Sequence, residues 1–236
     1  MARLLALLVG LSLTLCATGC DDLAAPPQEQ IEGGETREPD APEESENDTG
    51  DEREDDGRDG ETDGVGCDGQ IYDTVADTPY VLPFPDGAAY RMNLGNCASS
   101  FHSPGSPDRY AYDFGMPIGT LITAARAGRV VHVVESGEDG GHPNNLVVVD
   151  HGDGTFAQYM HLTQSGADVS VGDDVAQGDA IGRSGATGLA GYPHLHFIVT
   201  SEAWPYPYDP VPVVFGNAEP AHRVLHQGVV YRAGGI

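Results

Sequence analysis

From Cys67 onward, turn signals interrupt the chain about every ten residues, and this spacing limits the elements it can build to short ones. Glu138-Asp139-Gly140-Gly141 and Gly152-Asp153-Gly154 are such signals: glycine takes a positive φ cheaply, and acidic side chains hydrogen-bond their own turns. Between the turns lie short runs of Val, Ile, Leu and Thr, and no helical period persists across a long window. The pattern predicts a mainly β domain. Strands are expected from Leu121 to Ala124, Arg129 to Val134, Asn145 to Asp150, Thr155 to Met160, Ala180 to Arg183 and His194 to Thr200. Gly172, Gly178, Gly182, Gly185 and Gly188 are read as strand-to-strand turns.

The first 66 residues are of another kind, which leaves room for one ordinary domain in 236 residues. Residues 1–20, MARLLALLVGLSLTLCATGC, set Arg3 ahead of an apolar run from Leu4 to Leu15 and then small residues before Cys20, the plan of an export signal. The run is shorter than the roughly 20 apolar residues of a spanning helix. Ala17-Thr18-Gly19-Cys20 resembles a bacterial lipobox, which implies a lipid on Cys20 and an anchor in a membrane. Ala17 stands where a large aliphatic residue is usual, so an ordinary secretory signal is the alternative. On either reading the protein is exported from the cytoplasm, and the bacterial cell envelope is its expected location.

Residues 21–66 carry 19 Asp and Glu against three Arg, with few large apolar side chains. Such a segment cannot bury enough surface to offset its chain entropy, and its like charges extend it. A disordered tether is expected here, an acidic recognition tail being the alternative. All 11 basic residues are Arg and the formal charge is −26, which argues against nucleic acid as a partner. Cys16 falls within the leader, so Cys67 and Cys97 remain for the folded part. In an oxidising compartment they are candidates for a disulfide, with two buried free thiols as the alternative.

Seven of the nine histidines lie between His102 and His196, both included. His194-Leu195-His196 opens a β-prone run, and residues two apart on a strand project from the same face. Alone, such a pair fits a surface or satisfied polar role. Its company changes the weighing: His102, Asp113 and Tyr159-Met160-His161-Leu162 each lie beside an expected strand or turn. A catalytic zinc site takes three N or O ligands and leaves one position for water.

The stretch from His102 to Thr200 resembles the lysostaphin-type (LytM-type) zinc endopeptidases of peptidoglycan. The resemblance rests on a histidine followed, in order, by YAYDFGMPIGTLITAARAGRVV, NNLVVVDHGDGTFAQYMHL, VGDDVAQGDAIGRSGATG and GYPHLHFIV. It implies an antiparallel, sandwich-like β domain over 67–236 with a zinc site in an open groove. It further implies one Zn2+ held by His102, Asp113 and His196, with His161 and His194 catalytic. Two histidines and a carboxylate leave a zinc site of net charge +1, which lowers the pKa of bound water toward about 7. His161 and His194 would move the proton or stabilise the developing oxyanion. The substrate implied is the peptide part of peptidoglycan.

One spacing departs from the family. Its compact motif puts three residues between the first histidine and the aspartate, whereas ten lie between His102 and Asp113, SPGSPDRYAY. We read a longer loop, with Tyr110 to Phe114 still forming a strand and Asp108 as the rival ligand. His151 is expected to order its turn, and His132 and His142 to serve core or surface roles. Tyr159 lines the groove or packs in the core. His222 and His226 lie in a C-terminal segment without an assigned role. The alternative function is a catalytically silent envelope regulator that binds and activates another cell-wall hydrolase. A closed four-ligand structural zinc module is disfavoured, because the cysteines lie far from the HLH motif.

Overall fold

The computed structural model describes residues 66–201 and 206–235. The leader, Cys20 with its expected lipid, and residues 21–65 of the expected tether lie outside them. Thirteen strands run along the described residues: β1 (Ala89–Leu94), β2 (Tyr112–Gly115), β3 (Leu121–Thr123), β4 (Gly128–Val134), β5 (Leu146–Asp150), β6 (Phe156–Met160), β7 (Leu162–Ala167), β8 (Asp174–Val175), β9 (Ala180–Ser184), β10 (His194–Thr200), β11 (Pro210–Val211), β12 (Ala218–Glu219) and β13 (Val230–Ala233). Helix among these residues is confined to one 3-10 turn, Ser100–His102.

Ten strands form one antiparallel sheet in the order β12-β13-β1-β2-β10-β6-β5-β4-β8, with β11 added to β10. A second sheet has the order β3-β9-β7. The mainly β, antiparallel expectation therefore holds, and the six expected strands appear within a residue of their expected bounds. Several strands were not expected. Leu162–Ala167 has the sequence LTQSGA, with exposed polar residues at its centre, and so gives no apolar period. Ala89–Leu94 is mostly half-buried and equally faint.

Alternation along the strands decides what faces the core. Tyr112 and Phe114 of β2, Leu195, Phe197 and Val199 of β10, and Val147 and Val149 of β5 cover one face of the large sheet. They pack with Ile122 of β3, Leu162 of β7 and Ile181 of β9 from the small sheet. Each such side chain, fully buried, contributes about 1.5–3 kcal/mol. The intervening residues face the other way, where Leu146, Val148, Met160, Ile198 and Tyr208 make a smaller cluster. Asp113, His194 and His196 are out of phase with the core residues of their strands, so they belong to this second face.

The same alternation decides between the two places open to Tyr159. Tyr159 is fully buried in the core and does not line a groove. It is one residue from Met160 and so points to the opposite face of β6, where its hydroxyl accepts a hydrogen bond from the Ala125 N–H at 2.8 Å and its ring lies 5.2 Å from that of Phe197. Cys67 and Cys97 are joined in a disulfide with Cα atoms 4.9 Å apart. It ties the start of the described chain to the loop that leads into Ser100–His102.

Candidate metal centre

The register of three strands assembles the site. β10 pairs with β2 so that His196 lies opposite Asp113, and with β6 so that His196 lies opposite Met160, the residue before His161. His194 lies opposite Gly115. The long loop between His102 and Asp113 folds back through a succession of turns, with Arg109 O accepting from Cys97 N at 2.7 Å and Ala111 N donating to Asp108 O at 2.9 Å. The 3-10 turn thereby delivers His102 to the strand-borne residues despite the ten-residue separation.

His161 depends on its backbone. It sits between β6 and β7 with φ of 64°, a left-handed conformation that few residues other than glycine adopt. The Asn144 Oδ1 accepts its N–H at 3.0 Å and holds it there. Its ring centroid lies 4.7 Å from that of His194 and 5.6 Å from that of His196.

Backbone carbonyls fix the orientation of three imidazoles. The Nδ1 of His102 lies 3.2 Å from Gly95 O, that of His161 2.7 Å from Thr187 O, and that of His194 2.8 Å from Tyr192 O. A carbonyl oxygen only accepts, so each Nδ1 carries a hydrogen and each ring turns its Nε2 toward the centre, a bare acceptor whenever the ring is neutral. His102 Nε2 is 3.4 Å from Asp113 Oδ1, and His194 Nε2 is 3.7 Å from Asp113 Oδ2. A lone pair facing a carboxylate is unfavourable unless a proton or a cation lies between them.

The donor set therefore suits a cation. His102, Asp113 and His196 are all buried and offer ligand atoms within 4.8 Å of one another, as do His161, His194 and His196. Two imidazoles and one carboxylate match the ligand types of a catalytic zinc site. Thus all five residues expected from the sequence, His102, Asp113, His161, His194 and His196, come together. His222 and His226 stack on each other beside Tyr231, and His151 bonds Ala127 O, so these three belong to other surroundings.

The charges follow from burial and neighbours. Burial alone would raise the Asp113 carboxyl, but the imidazoles of His102 and His196 outweigh it and hold it well below the usual carboxylate range. Burial lowers His196, yet Asp108 and Asp113 prevail and raise it to about 10. His161 is pushed down to about 3, first by burial and then by the charges of His196 and His194. Burial also lowers His194. His161 and His194 are accordingly neutral near pH 7, as a proton acceptor must be.

Asp108, the rival to Asp113, occupies a different place. Its Oδ1 lies 3.4 Å from His196 Nε2, on the far side of that ring from Asp113, and accepts the Tyr208 hydroxyl at 2.5 Å. Tyr208, Thr187, Asn144 and Tyr192 support the site and were not anticipated. Thr187 and Tyr192 act through backbone carbonyls, Asn144 on a backbone amide, and Tyr208 from a hundred residues along the chain, and none of these leaves a periodic mark. Tyr192 also covers one face of His194, with ring centroids 4.6 Å apart.

Residues 108–207 match the model of Peptidase family M23. No curated protein matches the chain. Among solved structures, a putative peptidase M23 from Pseudomonas aeruginosa is 34% identical, over 49% of this chain and 48% of that one, with a TM-score of 0.34. The chain thus spans about half the length of that protein. The catalytic domain of the antimicrobial peptidase lysostaphin from Staphylococcus simulans is 31% identical, over 52% of this chain and 84% of its own, with a TM-score of 0.36. A zinc containing peptidase from Vibrio cholerae is 22% identical, over 57% of this chain and 39% of its own, with a TM-score of 0.37. The matched segment includes Asp113, His161, His194 and His196, while His102 precedes it. The ordered motifs and the matched family model together make residues 108–207 a domain of peptidase family M23.

Proposed function

We propose that the protein is a zinc-dependent endopeptidase that hydrolyses peptide cross-links of bacterial peptidoglycan, exported to the envelope and held there by a lipid on Cys20. The observation that carries the proposal is the convergence of a buried His102, Asp113 and His196 set with two further buried imidazoles, inside an M23 segment.

His102, Asp113 and His196 would hold the ion. When bound, zinc supplies a Lewis acid that polarises the scissile carbonyl and lowers the pKa of water toward about 7. His161 presents a neutral Nε2, its Nδ1 hydrogen committed to Thr187 O, and can take the proton of an attacking water. His194 is held in the same tautomer by Tyr192 O and, once protonated, can donate to the developing oxyanion or the leaving amine. Low dielectric around these buried groups strengthens each of these interactions. The acidic segment between Cys20 and the folded part would act as the tether that lets the site reach the wall.

The test is digestion of purified sacculi by the full chain, with released fragments identified by mass spectrometry and zinc measured on the same sample. About one zinc per chain with cleaved cross-links is expected. His161→Ala should keep its zinc and lose cleavage, by about 100-fold or more. Zinc loading with intact cross-links would instead favour a regulator of another hydrolase.

A further inference from the structure

The four histidines of the site are not oriented alike. His102, His161 and His194 are each pinned through Nδ1 by a backbone carbonyl and turn Nε2 inward. His196 is reversed: its Nδ1 lies 2.8 Å from Asp113 Oδ1, and its Nε2 points the other way. To offer a bare Nδ1 to a metal, this ring must carry its hydrogen on Nε2, and its β10 backbone neighbours supply no carbonyl there. Asp108 Oδ1 lies 3.4 Å from that atom and can accept its hydrogen.

We infer that Asp108, held by Tyr208, is a positioning residue that fixes the tautomer of His196 and so prepares Nδ1 for the metal. The inference rests on the zinc reading above. Several contacts keep the carboxylate in place. Tyr208 donates to Oδ1 at 2.5 Å, Asp108 N donates to Ser106 Oγ at 3.1 Å, and Asp108 O accepts from Ala111 N at 2.9 Å. The Asp108 side chain is 16% exposed and that of His196 9%, so water competes little for the pair. The ten residues separating His102 from Asp113 acquire a purpose on this account: the loop carries a second carboxylate to the outer side of a ligand ring. Carboxylates in this role raise ligand basicity as well as orienting the ring.

The experiment compares the full chain with Asp108→Asn and Tyr208→Phe. Asparagine keeps the size, and its Oδ1 can still accept from Tyr208 and from Nε2–H, but it lacks the charge that raises the basicity of the ring. Zinc affinity, measured by competition with a chromogenic chelator, should fall about 10- to 100-fold in Asp108→Asn and less in Tyr208→Phe. Spectra of histidine-labelled, metal-free protein, in which His196 carries a hydrogen on both ring nitrogens, should show its Nε2–H proton moved upfield in Asp108→Asn, where a carboxylate acceptor becomes an amide. A merely structural residue would leave that signature unmoved. Unchanged zinc affinity and an unchanged His196 spectrum would overturn the inference while leaving the zinc reading intact. If the native chain binds no zinc, the zinc reading fails, and the His196 spectra still decide the role of Asp108. Full zinc binding by Asp113→Ala, with none by Asp108→Asn, would make Asp108 the ligand itself and overturn both assignments.

Discussion

Asn145 offers a sharp test of how the structure is held behind the site. It is fully buried, and its side chain joins the loop at Gly137 to β7: Oδ1 accepts from Gly137 N at 2.7 Å, while Nδ2 donates to Gly137 O at 2.8 Å and to Thr163 O at 3.1 Å. Its own N–H donates to Thr187 Oγ1 at 2.9 Å, the residue whose carbonyl orients His161. Asn145→Ala removes three hydrogen bonds and strands their backbone partners in a space too tight for easy repair. The closeness is visible at Gly137, where an added Cβ would lie 2.0 Å from Pro143 O. Leaving a buried polar group unsatisfied costs about 1–3 kcal/mol, so with partial rehydration the variant should lose about 3–5 kcal/mol. For a folded unit of this size that is a fall in Tm of roughly 6–20 °C. Urea titration followed by circular dichroism, with the m value unchanged, is the appropriate assay. A loss below about 1 kcal/mol would mean that these groups find other partners and would refute the reasoning.

Further predictions concern the staple, the ion and the core. Replacing Cys67 and Cys97 together by Ser opens a link between residues 30 apart and should cost about 3–4 kcal/mol, read from the same titrations; no loss would show that the unfolded chain is not constrained by it. In the metal-free protein, His196 is raised from 6.5 to about 10, so its proton stabilises the fold fully below about pH 6.5, an effect lost as pH rises through about 10. A metal that takes His196 must displace that proton. Zinc uptake near pH 7 should therefore release about one proton, and apparent affinity should fall about tenfold per unit drop in pH. Titration calorimetry in buffers of different ionisation heat measures the release, and buffer-independent heats would refute it. Tyr159→Phe leaves the Ala125 N–H without its partner and should cost about 1–3 kcal/mol with the rate per bound zinc unchanged, whereas a fall in that rate would return Tyr159 to the groove.

The sequence was most readable where one residue type repeats on one side of a strand. His194 and His196 sit two apart on a strand whose bounds were anticipated, and Arg129 to Val134 and Asn145 to Asp150 announce themselves by continuous β-branched runs. β7 was silent because its buried members, Leu162 and Gly166, are separated by exposed polar residues, and glycine gives no hydrophobic signal. Tyr159 shows the limit of proximity in sequence, since it is two residues from His161 and yet on the core side of the sheet. Asp108 and Tyr208 illustrate another limit. A hundred residues separate them, and the path of the loop and of the segment entering β11 brings the hydroxyl onto the carboxylate. The ten-residue interval was visible as a departure from the family spacing, but the use made of it is a matter of three-dimensional route.

The left-handed backbone of His161 sets folding against reactivity. A side chain with a Cβ pays about 1–2 kcal/mol for that conformation, and glycine would adopt it freely. Burial of an imidazole that stays neutral adds sensitivity to acid, because this contribution to stability declines as pH falls from 6.5 through about 3. Repeated selection for heat resistance alone would therefore favour glycine at residue 161, and the fittest survivors of such a regime would be robust proteins without the imidazole that the proposed mechanism uses to accept a proton.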